Sequence, residues 1–350
     1  MAYPASYNAF RRAPGENAET IVPSVENMPS LRPNDVLIKI HAVSLNYRDV
    51  GMLHGKYPLP VKDQGIPASD CAGEVVALGS AVQGVSVGDH VSPIFDLKYI
   101  KDIDPQNESA QLGGTVDGVL QQYAVFDENV LVHVPQHLSW EEAACITCAG
   151  TTAWNSLDMP KSQARQTTAL MLGTGGVSLF ALLICLGAGI QPIITSSSDE
   201  KLRNIAALGP EGAIKVINYR TNPDWEKEVL RLTGGKGVDI VLETVGGTSI
   251  KQSTESLATR GMIAWIGFLG GLALDGFAEA LGQLFLKVGT LRSIQVGSKV
   301  DQANLCRFLE ETKTSLKPII GKTFTFTESP AAFDCLYAGG VMGKVVITMD

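Results

Sequence analysis

Hydrophobic and polar positions follow two different patterns along the chain, and the change falls near residue 150. Before that point, short apolar runs such as 36–40 and 73–79 lie between turn residues, which predicts a small β-rich barrel or sandwich. From about 150 to 298, strand-like runs alternate with helical patterns, as in a doubly wound parallel sheet. The sequence therefore predicts an α/β protein, and its 350 residues favour two domains.

The clearest pattern is the stretch 169–189, ALMLGTGGVSLFALLICLGAG. A short apolar run meets a glycine cluster and then a second apolar run, which predicts a strand, a tight turn and a helix buried on every face. A second strand is predicted at 191–198, followed by a helix from 199. The later elements predicted for this half are strands at 213–219, 238–244 and 261–267, helices at 224–233 and 248–258, and a glycine-rich loop at 268–276.

The remaining segments show weaker patterns. Residues 96–118 are polar and lack periodicity, which is typical of a functional or mobile loop. A helix pair is predicted at 135–157, with Ser139 as N-cap and Glu142 completing a capping box. The chain ends with a predicted strand at 323–327, a helix at 329–338 and a strand at 344–349.

The glycine cluster matches a dinucleotide-binding fingerprint. Gly173 permits a sharp turn, and Gly175 leaves no side chain between the backbone and a pyrophosphate. Gly176 and Val177 begin a helix whose free N–H groups and positive dipole end face that pyrophosphate. Ser178 replaces the third glycine and weakens the motif, but the strand–helix–strand context is the one that the fingerprint requires. The alternative is a glycine turn without a ligand.

The end of the second strand indicates which nicotinamide cofactor binds. NAD is recognised there by a carboxylate, whereas the 2′-phosphate of NADP is recognised by hydroxyls and a cation. The strand tip carries Ser196, Ser197 and Ser198, with Lys201 one turn later, so we predict NADP(H). Alternatively the serines only cap the next helix, and Asp199 and Glu200 are counter-evidence, although both suit a first helical turn.

Composition excludes several classes of partner. A net charge of -8 without a basic run argues against nucleic acid and against an anionic membrane surface. The six cysteines are scattered through apolar runs, which is typical of a reduced compartment, and we interpret Cys145 and Cys148 as buried thiols. We see no secretory signal and no apolar run suited to a membrane span, so we expect a soluble, cytoplasmic protein.

A set of short motifs runs along nearly the whole chain in a fixed order. It comprises 44–49 (SLNYRD), 67–75 (PASDCAGEV), 88–91 (GDHV), 149–154 (AGTTAW), the glycine fingerprint, 217–220 (INYR) and 343–346 (GKVV). In this order the chain resembles the medium-chain dehydrogenase/reductase superfamily. The resemblance implies a GroES-like catalytic domain at 1–149 and 299–350, and a Rossmann dinucleotide-binding domain at 150–298.

The chain departs from this family where zinc-dependent members hold their catalytic metal. The matching positions carry Asn46, Ser69 and Cys148, and one thiol among such neighbours is a poor zinc site. The loop near 96–118 lacks the four cysteines that metal-bearing relatives carry. We therefore expect no metal, and the chain resembles the zinc-free quinone oxidoreductase and enoyl reductase branch.

The resemblance also implies roles for individual residues. It places Asn46 and Thr152 beside the nicotinamide, although Tyr219, which it places at the 2′-phosphate, is alternatively a plain strand-end aromatic. The other implied cofactor contacts are Ser196, Ser197, Ser198 and Lys201 around the 2′-phosphate, and Val245, Gly267, Phe268 and Val296 along the cofactor. Relatives of this kind also imply a homodimer.

Without a metal, an activated acceptor is the easier substrate. Hydride delivery to a conjugated C=C bond or a quinone spreads charge into an enolate or phenolate, which neutral donors can stabilise. We predict Asn46, Tyr47 and backbone N–H groups as those donors. Tyr57 resembles the proton donor or substrate clamp of enoyl reductases, or is a loop aromatic. We interpret Asp49 as structural and Arg48 as a solvated or paired charge.

The predicted function is therefore NADPH-dependent reduction of an α,β-unsaturated carbonyl compound or a quinone. Apolar and small residues at 268–285, a segment predicted to line the pocket as a loop, suggest a hydrophobic small-molecule substrate. Alternatively, the same residues bury a contact between subunits. Two alternatives remain open at this point. One is an alcohol dehydrogenase or carbonyl reductase of the same superfamily, and the other is a non-catalytic NADPH-binding protein with a structural or regulatory role.

Overall fold

The computed structural model describes residues 3–15, 19–101, 108–159, 161, 167–271 and 276–349. The chain divides into two compact units. Unit 1 comprises Met1–Thr151 and Gly297–Asp350, and unit 2 comprises Thr152–Val296. Each unit has its own sheet, which confirms the predicted α/β class and its division into a β-rich part and a parallel-sheet part.

The strands of unit 1 are β1 (Ser6–Arg12), β2 (Ile21–Asn27), β3 (Asp35–Leu45), β4 (Asp70–Leu78), β5 (His90–Pro93), β6 (Tyr123–Asp127), β7 (Leu131–His133), β14 (Ile320–Thr325) and β15 (Lys344–Thr348). β1 and β2 form an antiparallel pair. The others form a sheet with the order β14-β15-β3-β4-β5-β7, and β6 also pairs with β3. β3 is central because it is buried along nearly its whole length and pairs with β4, β6 and β15.

The helices of unit 1 are α1 (Tyr47–Leu53), α2 (Trp140–Ala144), α9 (Lys299–Thr312) and α10 (Ser329–Ala338). The capping box predicted at Ser139 and Glu142 is confirmed at the start of α2. The predicted helix pair is one path, in which a π-helical turn, Ile146–Gly150, joins α2 to α3 (Thr151–Ser156). α10 has the predicted bounds.

Unit 2 contains a parallel six-stranded sheet with the order β10-β9-β8-β11-β12-β13. Its strands are β8 (Thr168–Met171), β9 (Gln191–Ser196), β10 (Lys215–Asn218), β11 (Val238–Glu243), β12 (Leu257–Trp265) and β13 (Thr290–Ser293). The strand order reverses between β8 and β11. In open α/β sheets, ligands bind at the carboxyl ends of the strands beside such a switch point.

The helices of unit 2 are α4 (Gly176–Ala188), α5 (Asp199–Ala206), α6 (Trp225–Leu232), α7 (Ile250–Glu255) and α8 (Phe277–Leu286). In α4, every residue from Ser178 to Cys185 is buried, which confirms the buried helix expected from its apolar sequence. A cluster of buried side chains that includes Leu170, Val241, Ile263 and Trp225 forms a core of this unit.

The structure corrects two predictions in this region. The predicted helix at 248–258 is shorter, because Leu257 already pairs with β11 and begins β12. The predicted pocket loop at 268–285 includes α8, since Phe277–Leu286 is rich in helix-forming residues and buries Ala280 and Leu284 at helical spacing. Residues 272–275 of that loop lie outside the described residues. β13 was not predicted.

The polar loop at 96–118 is also more ordered at its base than expected. Asp96 accepts hydrogen bonds from Ser109 and from the backbone N–H of Ala110, and Gln111 and Leu112 are buried. Residues 102–107 lie outside the described residues. A search of the described helices found none with both the length and the apolar character needed to cross a bilayer.

Candidate functional site

The fingerprint glycines lie between β8 and α4 in a conformation that suits an anionic ligand. Gly173 has a φ of +77°, a left-handed conformation that side chains rarely adopt. Gly175 is the N-cap of α4, and no side chain caps this helix end. A Cβ atom added at Gly175 would meet no atom within 4 Å. The N-terminus of α4 therefore has no side-chain cap, and the space that a Gly175 side chain would fill is open.

Ser178 replaces the third fingerprint glycine without disturbing the turn. Its side chain is buried, and its hydroxyl donates a hydrogen bond of 3.0 Å to the carbonyl oxygen of Leu172 at the end of β8. The hydroxyl therefore has a partner, so burial carries no penalty for an unpaired polar group. The serine that replaces the third fingerprint glycine is therefore accommodated by a local hydrogen bond.

The three serines occupy different positions after β9. Ser196 is buried and its Oγ accepts a 3.2 Å hydrogen bond from the N–H of Ser198. Ser198 caps α5, because its Oγ accepts a hydrogen bond from the N–H of Lys201. Ser197 and Lys201 are partly exposed, and Tyr219 is 42% exposed. Ser198 is therefore a helix cap, Ser196 is buried, and Ser197 is a partly exposed serine that does not cap α5.

Asp199, the acidic residue nearest the strand tip, is engaged within unit 2. Its Oδ1 accepts a 2.6 Å hydrogen bond from the side-chain amide of Asn218 at the end of β10. Asp199 also lies in the first turn of α5, where a carboxylate favours the helix dipole. The hydrogen bond to Asn218 and the position in the first helical turn together give the Asp199 carboxylate a structural role.

These features fit a dinucleotide cofactor. The open N-terminus of α4 suits a pyrophosphate, and the hydroxyls of Ser196 and Ser197 with the ammonium of Lys201 suit a 2′-phosphate. NADP(H) supplies or accepts a hydride when it is bound. The residues of unit 2 would hold and orient it.

The other predicted cofactor residues of unit 2 lie at strand ends or near the unit boundary. Thr152 and Val296 are buried, and Val296 has a φ of +53°, a strained conformation for a β-branched residue. Its carbonyl oxygen accepts a 2.9 Å hydrogen bond from Asn155. Gly267 and Phe268 follow the end of β12 after one intervening residue and are partly buried.

Glu243, which the sequence analysis did not single out, shapes the loop after β11 that contains Val245. It is buried and accepts hydrogen bonds from the N–H groups of Val245 and Gly246, at 2.8 and 2.9 Å. The hydroxyls of Ser249 and Ser253 also donate to it. A charged residue closing an apolar strand was the signal that could have identified it.

In unit 1, strand pairing brings together four polar residues, and two of them, Asn46 and Ser69, are positions that the resemblance matches to metal ligands. β15 pairs with the end of β3, so Lys344, the first residue of β15, lies beside Asn46, which directly follows β3. β4 pairs with β3 on the other side and begins at Asp70, which follows Ser69. Four residues that are distant in sequence therefore meet at one corner of the sheet.

These four residues form a closed circuit of polar contacts, the Lys344 ring. The ammonium of Lys344 donates a 2.5 Å hydrogen bond to Asn46 Oδ1, and Asn46 Nδ2 lies 3.5 Å from Ser69 Oγ. The Ser69 hydroxyl donates to Asp70 Oδ1 at 2.6 Å, and Asp70 Oδ2 lies 3.6 Å from Lys344 Nζ. The N–H of Cys148 also donates to Asp70, at 3.1 Å.

The donor set does not fit a catalytic zinc ion. The amide of Asn46 and the hydroxyl of Ser69 are poor zinc ligands, and the single thiol of Cys148 cannot hold the metal alone. The amide oxygen of Asn46 is taken by the Lys344 cation. Within the described residues, no group of three His, Cys, Asp or Glu side chains is arranged to hold a metal.

The donors predicted in unit 1 differ in accessibility. Asn46 and Tyr57 are partly buried and Tyr47 is 48% exposed. Asp49 is fully buried and accepts a 2.8 Å hydrogen bond from the N–H of Asn46, in agreement with the structural role predicted for it. Asp49 therefore fixes the backbone of Asn46 at the start of α1.

Arg48 is more enclosed than predicted. Its side chain is only 9% exposed, and Nη1 lies 3.6 Å from Asp49 and donates to the carbonyl oxygen of Leu112. The guanidinium also lies 4.7 Å from the ring centre of Phe95 and 5.5 Å from that of Tyr57. Burial opposes the charged form, but Asp49 and Tyr57 outweigh it and raise the pKa of Arg48. Arg48 is a paired charge, but it is not solvated.

Sequence reasoning missed Lys344 as part of this site. The motif containing it was identified, but neither periodicity nor spacing indicates that its ammonium contacts Asn46, 298 positions earlier. The available signal was an isolated charge at the start of the apolar run KVVIT. A lysine there is buried only if the fold supplies partners.

Two family models match the chain. The alcohol dehydrogenase GroES-like domain matches residues 32–136, and the zinc-binding dehydrogenase model matches residues 176–311. Relatives include a zinc-type alcohol dehydrogenase-like protein of Schizosaccharomyces pombe, which is 38% identical over 325 residues. That alignment covers 91% of this chain and 92% of the relative.

Solved structures resemble the chain over nearly its full length. A candidate alcohol dehydrogenase from Sinorhizobium meliloti 1021 has a TM-score of 0.88 and 34% identity, covering 99% of this chain and 100% of that chain. The crotonyl-CoA carboxylase/reductase AntE in complex with NADP has a TM-score of 0.84 and 22% identity, covering 99% and 95%. At 22% identity the second likeness concerns the fold alone.

Proposed function

The chain belongs to the medium-chain dehydrogenase/reductase superfamily of oxidoreductases, and on that premise we propose that it is an NADPH-dependent, zinc-free reductase of activated acceptors. The acceptor is the C=C bond of an α,β-unsaturated carbonyl compound or a quinone. The observation that carries this proposal is the Lys344 ring, because a lysine cation occupies the amide oxygen of Asn46 where zinc-dependent relatives carry a ligand.

The proposed chemistry follows from the donors that unit 1 offers. As hydride reaches the β-carbon of an enone, negative charge develops on the carbonyl oxygen. The Nδ2–H groups of Asn46 and the phenol of Tyr47 can donate hydrogen bonds to that oxygen, which lowers the barrier most when the charge is already delocalised. An isolated ketone gives a localised alkoxide, for which a Lewis-acidic metal is the usual solution.

An enone also requires a proton on the carbon that carries enolate character, and Tyr57 is the proposed donor. It is partly buried, and the guanidinium of Arg48 lies 5.5 Å from its ring centre. Quinone reduction requires no protonation at carbon. Loss of the Tyr57 hydroxyl should therefore lower the rate for α,β-unsaturated carbonyl compounds but not for quinones.

The preference for NADPH is the second part of the proposal. It is supported by the accessible hydroxyl of Ser197, the ammonium of Lys201 and the exposed ring of Tyr219 near the tip of β9. The local contacts of Asp199 support it as well, since its carboxylate is hydrogen-bonded to Asn218.

The second candidate function is an alcohol dehydrogenase or carbonyl reductase. The observation that favours it is the name of the Schizosaccharomyces pombe relative, a zinc-type alcohol dehydrogenase-like protein. Stoichiometric zinc in purified protein, with activity lost on chelation, would support this candidate against the first. A third candidate, a non-catalytic NADPH-binding protein, predicts cofactor binding without turnover of any acceptor.

The decisive experiment measures NADPH and NADH consumption with enals, enones, acyl thioesters, quinones and simple ketones, together with the metal content. We expect turnover of the activated acceptors with NADPH, and no turnover of simple ketones. Tyr57→Phe should lower kcat for enals and enones by about tenfold or more if protonation is limiting, and leave quinone reduction within about twofold. Preferred use of NADH, or of simple ketones, would contradict the proposal.

We also propose that unit 2 supplies a homodimer contact. β13 is an edge strand, and the neighbouring α8 segment exposes large apolar side chains, with Phe285 84%, Leu286 73% and Val288 67% exposed. An edge strand beside an apolar helix face is a liability in a monomer, and self-association covers both.

A further inference from the structure

Lys344 is a buried cation that the proposed chemistry does not yet use. Its side chain is 4% exposed, and Asp70, its counter-ion in the ring, has a fully buried side chain. Long charged side chains are seldom buried unless they are paired and hydrogen-bonded. Asp70 supplies the negative charge that balances the ammonium of Lys344, but the ammonium also donates a hydrogen bond to Asn46.

The ammonium fixes which way the Asn46 amide faces. Lys344 has only donors, so the atom of Asn46 that contacts it must be the acceptor Oδ1. The Nδ2–H groups then face the other way, where Ser69 Oγ lies 3.5 Å from Nδ2. This single long contact engages at most one of the two Nδ2–H donors, and the other remains available to a ligand.

The ammonium also polarises the amide. The positive charge of the ammonium, next to the amide oxygen, draws electron density from the amide nitrogen. Hydrogen bonds in such a chain strengthen one another. Asn46 is the partly exposed member of the Lys344 ring, whereas Ser69, Asp70 and Lys344 are buried. The effect of the buried cation therefore reaches the protein surface through the Asn46 N–H donors.

We propose that Lys344 is a positioning residue for oxyanion stabilisation: it orients and polarises the Asn46 amide, which hydrogen-bonds the acceptor oxygen as that oxygen becomes negative. Lys344 acts only through its hydrogen bond to Asn46, and no covalent bond to it forms or breaks. This inference rests on the proposed function, because it names what strengthens the Asn46 donor of that reaction. The ligand class it implies is an acceptor with a carbonyl oxygen.

The rest of the ring keeps Lys344 in place. Asp70 holds the ammonium electrostatically at 3.6 Å and is itself held by the Ser69 hydroxyl and the N–H of Cys148. Because all of these partners are buried or backbone groups, the ammonium has little freedom to leave Asn46. Preorganised dipoles of this kind cost no reorganisation when charge develops.

The first test is spectroscopic and does not depend on turnover. Protein labelled with nitrogen-15 asparagine gives side-chain amide signals, and Asn46→Ala identifies the pair from Asn46. In Lys344→Met we expect that pair to shift and its exchange with water to accelerate, because the amide has lost its charged partner. Lys299→Met is the matched control, since Lys299 is a partly buried lysine of unit 1 that donates to the carbonyl oxygen of Asn129. An unchanged Asn46 pair in Lys344→Met would overturn the proposal.

The second test compares two acceptors, hexenal and phenanthrenequinone, with NADPH. A quinone accepts hydride more readily, so less charge stabilisation is required of the protein at its transition state. We expect Lys344→Met to lower kcat/KM for hexenal by about a hundredfold and for phenanthrenequinone by less than about fivefold. Equal losses for both acceptors would indicate a structural role only and would overturn the proposal.

Folding is checked separately. If Lys344→Met leaves Asp70 unpaired and does not fold, the double variant Lys344→Met with Asp70→Asn removes the charge pair together and is used in both tests. NADPH affinity should fall by much less than kcat/KM for hexenal, because the phosphate contacts proposed for unit 2 are unchanged in the variant. A parent protein that turns over neither acceptor would refute the proposed function, and the amide signals would still show whether Lys344 orients Asn46.

Discussion

At the residue scale, the turn before α4 contains two glycines that the backbone needs for different reasons. Gly173 has a positive φ, so any side chain there would strain the fold itself. Gly175 has a φ of -76°, which any residue can adopt, and its missing side chain leaves open space. The fold therefore does not require glycine at position 175, whereas a pyrophosphate at the helix N-terminus does.

This difference predicts that Gly175→Ala separates binding from folding. We expect the free energy of unfolding to change by less than about 1 kcal/mol, because the backbone conformation is allowed and no contact is created. NADPH affinity should fall by about tenfold or more, since the new methyl group stands where the pyrophosphate approaches the backbone. Calorimetric titration and urea unfolding measure the two quantities.

The matched control is Gly282→Ala on α8, which likewise fills open space. It should leave NADPH affinity unchanged and stabilise the helix by up to about 1 kcal/mol. A Gly175→Ala variant that binds NADPH as tightly as the parent would argue against a pyrophosphate at this turn.

A second residue-scale prediction concerns cofactor choice. Ser197→Asp places a carboxylate at the tip of β9, and Lys201→Gln removes a cation, so both should weaken NADPH binding by about tenfold while affecting NADH much less. Lys215→Gln, a lysine in β10, is the control and should leave the NADPH to NADH ratio unchanged. If the two variants change the affinities for NADPH and NADH equally, the serine cluster does not read the 2′-phosphate.

Local sequence patterns predicted single residues well where the cause was also local. The cap at Ser139 and the turn at Gly173 depend on neighbours within a few positions, and both are confirmed. The burial of Arg48 depends instead on Leu112 and Phe95, which a distant segment supplies. The spacing of residues along the chain does not show that this distant segment packs against Arg48. The sequence therefore predicted only a solvated or paired charge.

At the element scale, Glu142 joins the start of α2 to a segment much later in the chain. Its Oε2 accepts from the N–H of Ser139 at 3.0 Å, and its Oε1 accepts from Ser315 and from the N–H of Leu316 at 2.8 and 2.7 Å. The same carboxylate therefore completes a capping box and stabilises the turn at Ser315 and Leu316 that precedes β14. Burial alone would raise the pKa of Glu142, but these hydrogen bonds outweigh it and lower that pKa.

We predict that Glu142→Ala lowers the free energy of unfolding by about 2 kcal/mol at pH 7, because it removes charge-assisted hydrogen bonds and a helix cap. The carboxylate's contribution is present above its unfolded pKa and is lost as pH falls through the lower folded pKa. The difference from the parent should therefore narrow below about pH 4 in urea unfolding. Glu141→Ala is the neighbouring control and should cost much less, so equal losses would contradict this account.

Element boundaries were least predictable where packing decides them. Leu257 appeared to continue a helix, but pairing with β11 draws it into β12. Phe277–Leu286 follows a glycine-rich stretch and seemed part of the same loop, yet Ala280 and Leu284 are buried one helical turn apart. β13 is short and partly exposed, so it lacks the apolar run by which a buried parallel strand is recognised.

At the scale of the whole molecule, the exposed apolar side chains of unit 2 predict self-association. Phe285→Lys introduces a charge at the most exposed of these positions and should shift a dimer towards monomer in analytical ultracentrifugation. Val87→Lys is the control, since Val87 is 62% exposed in unit 1 and lies outside the proposed contact. A monomeric parent protein, or a dimer that persists in Phe285→Lys, would contradict the proposed interface.

The fold class followed from the sequence because periodicity changes sharply between the β-rich part and the alternating part. The pairing of β15 with β3 was not accessible to the same reasoning, although both strands were predicted individually. Which strands become neighbours is decided by the topology of the sheet, and a pattern along the chain reports only that each strand has faces to bury.

That pairing of β15 with β3 also sets an order of events during synthesis. β3 emerges from the ribosome before unit 2, but the strand that covers its end is translated only after the whole of unit 2. Until then the corner that holds Asn46 lacks its lysine, and an apolar strand edge stays open to wrong partners. Unit 2, whose strands all come from one continuous segment, can complete its sheet first, so nascent chains should contain a folded unit 2 before the corner that holds Asn46 is complete.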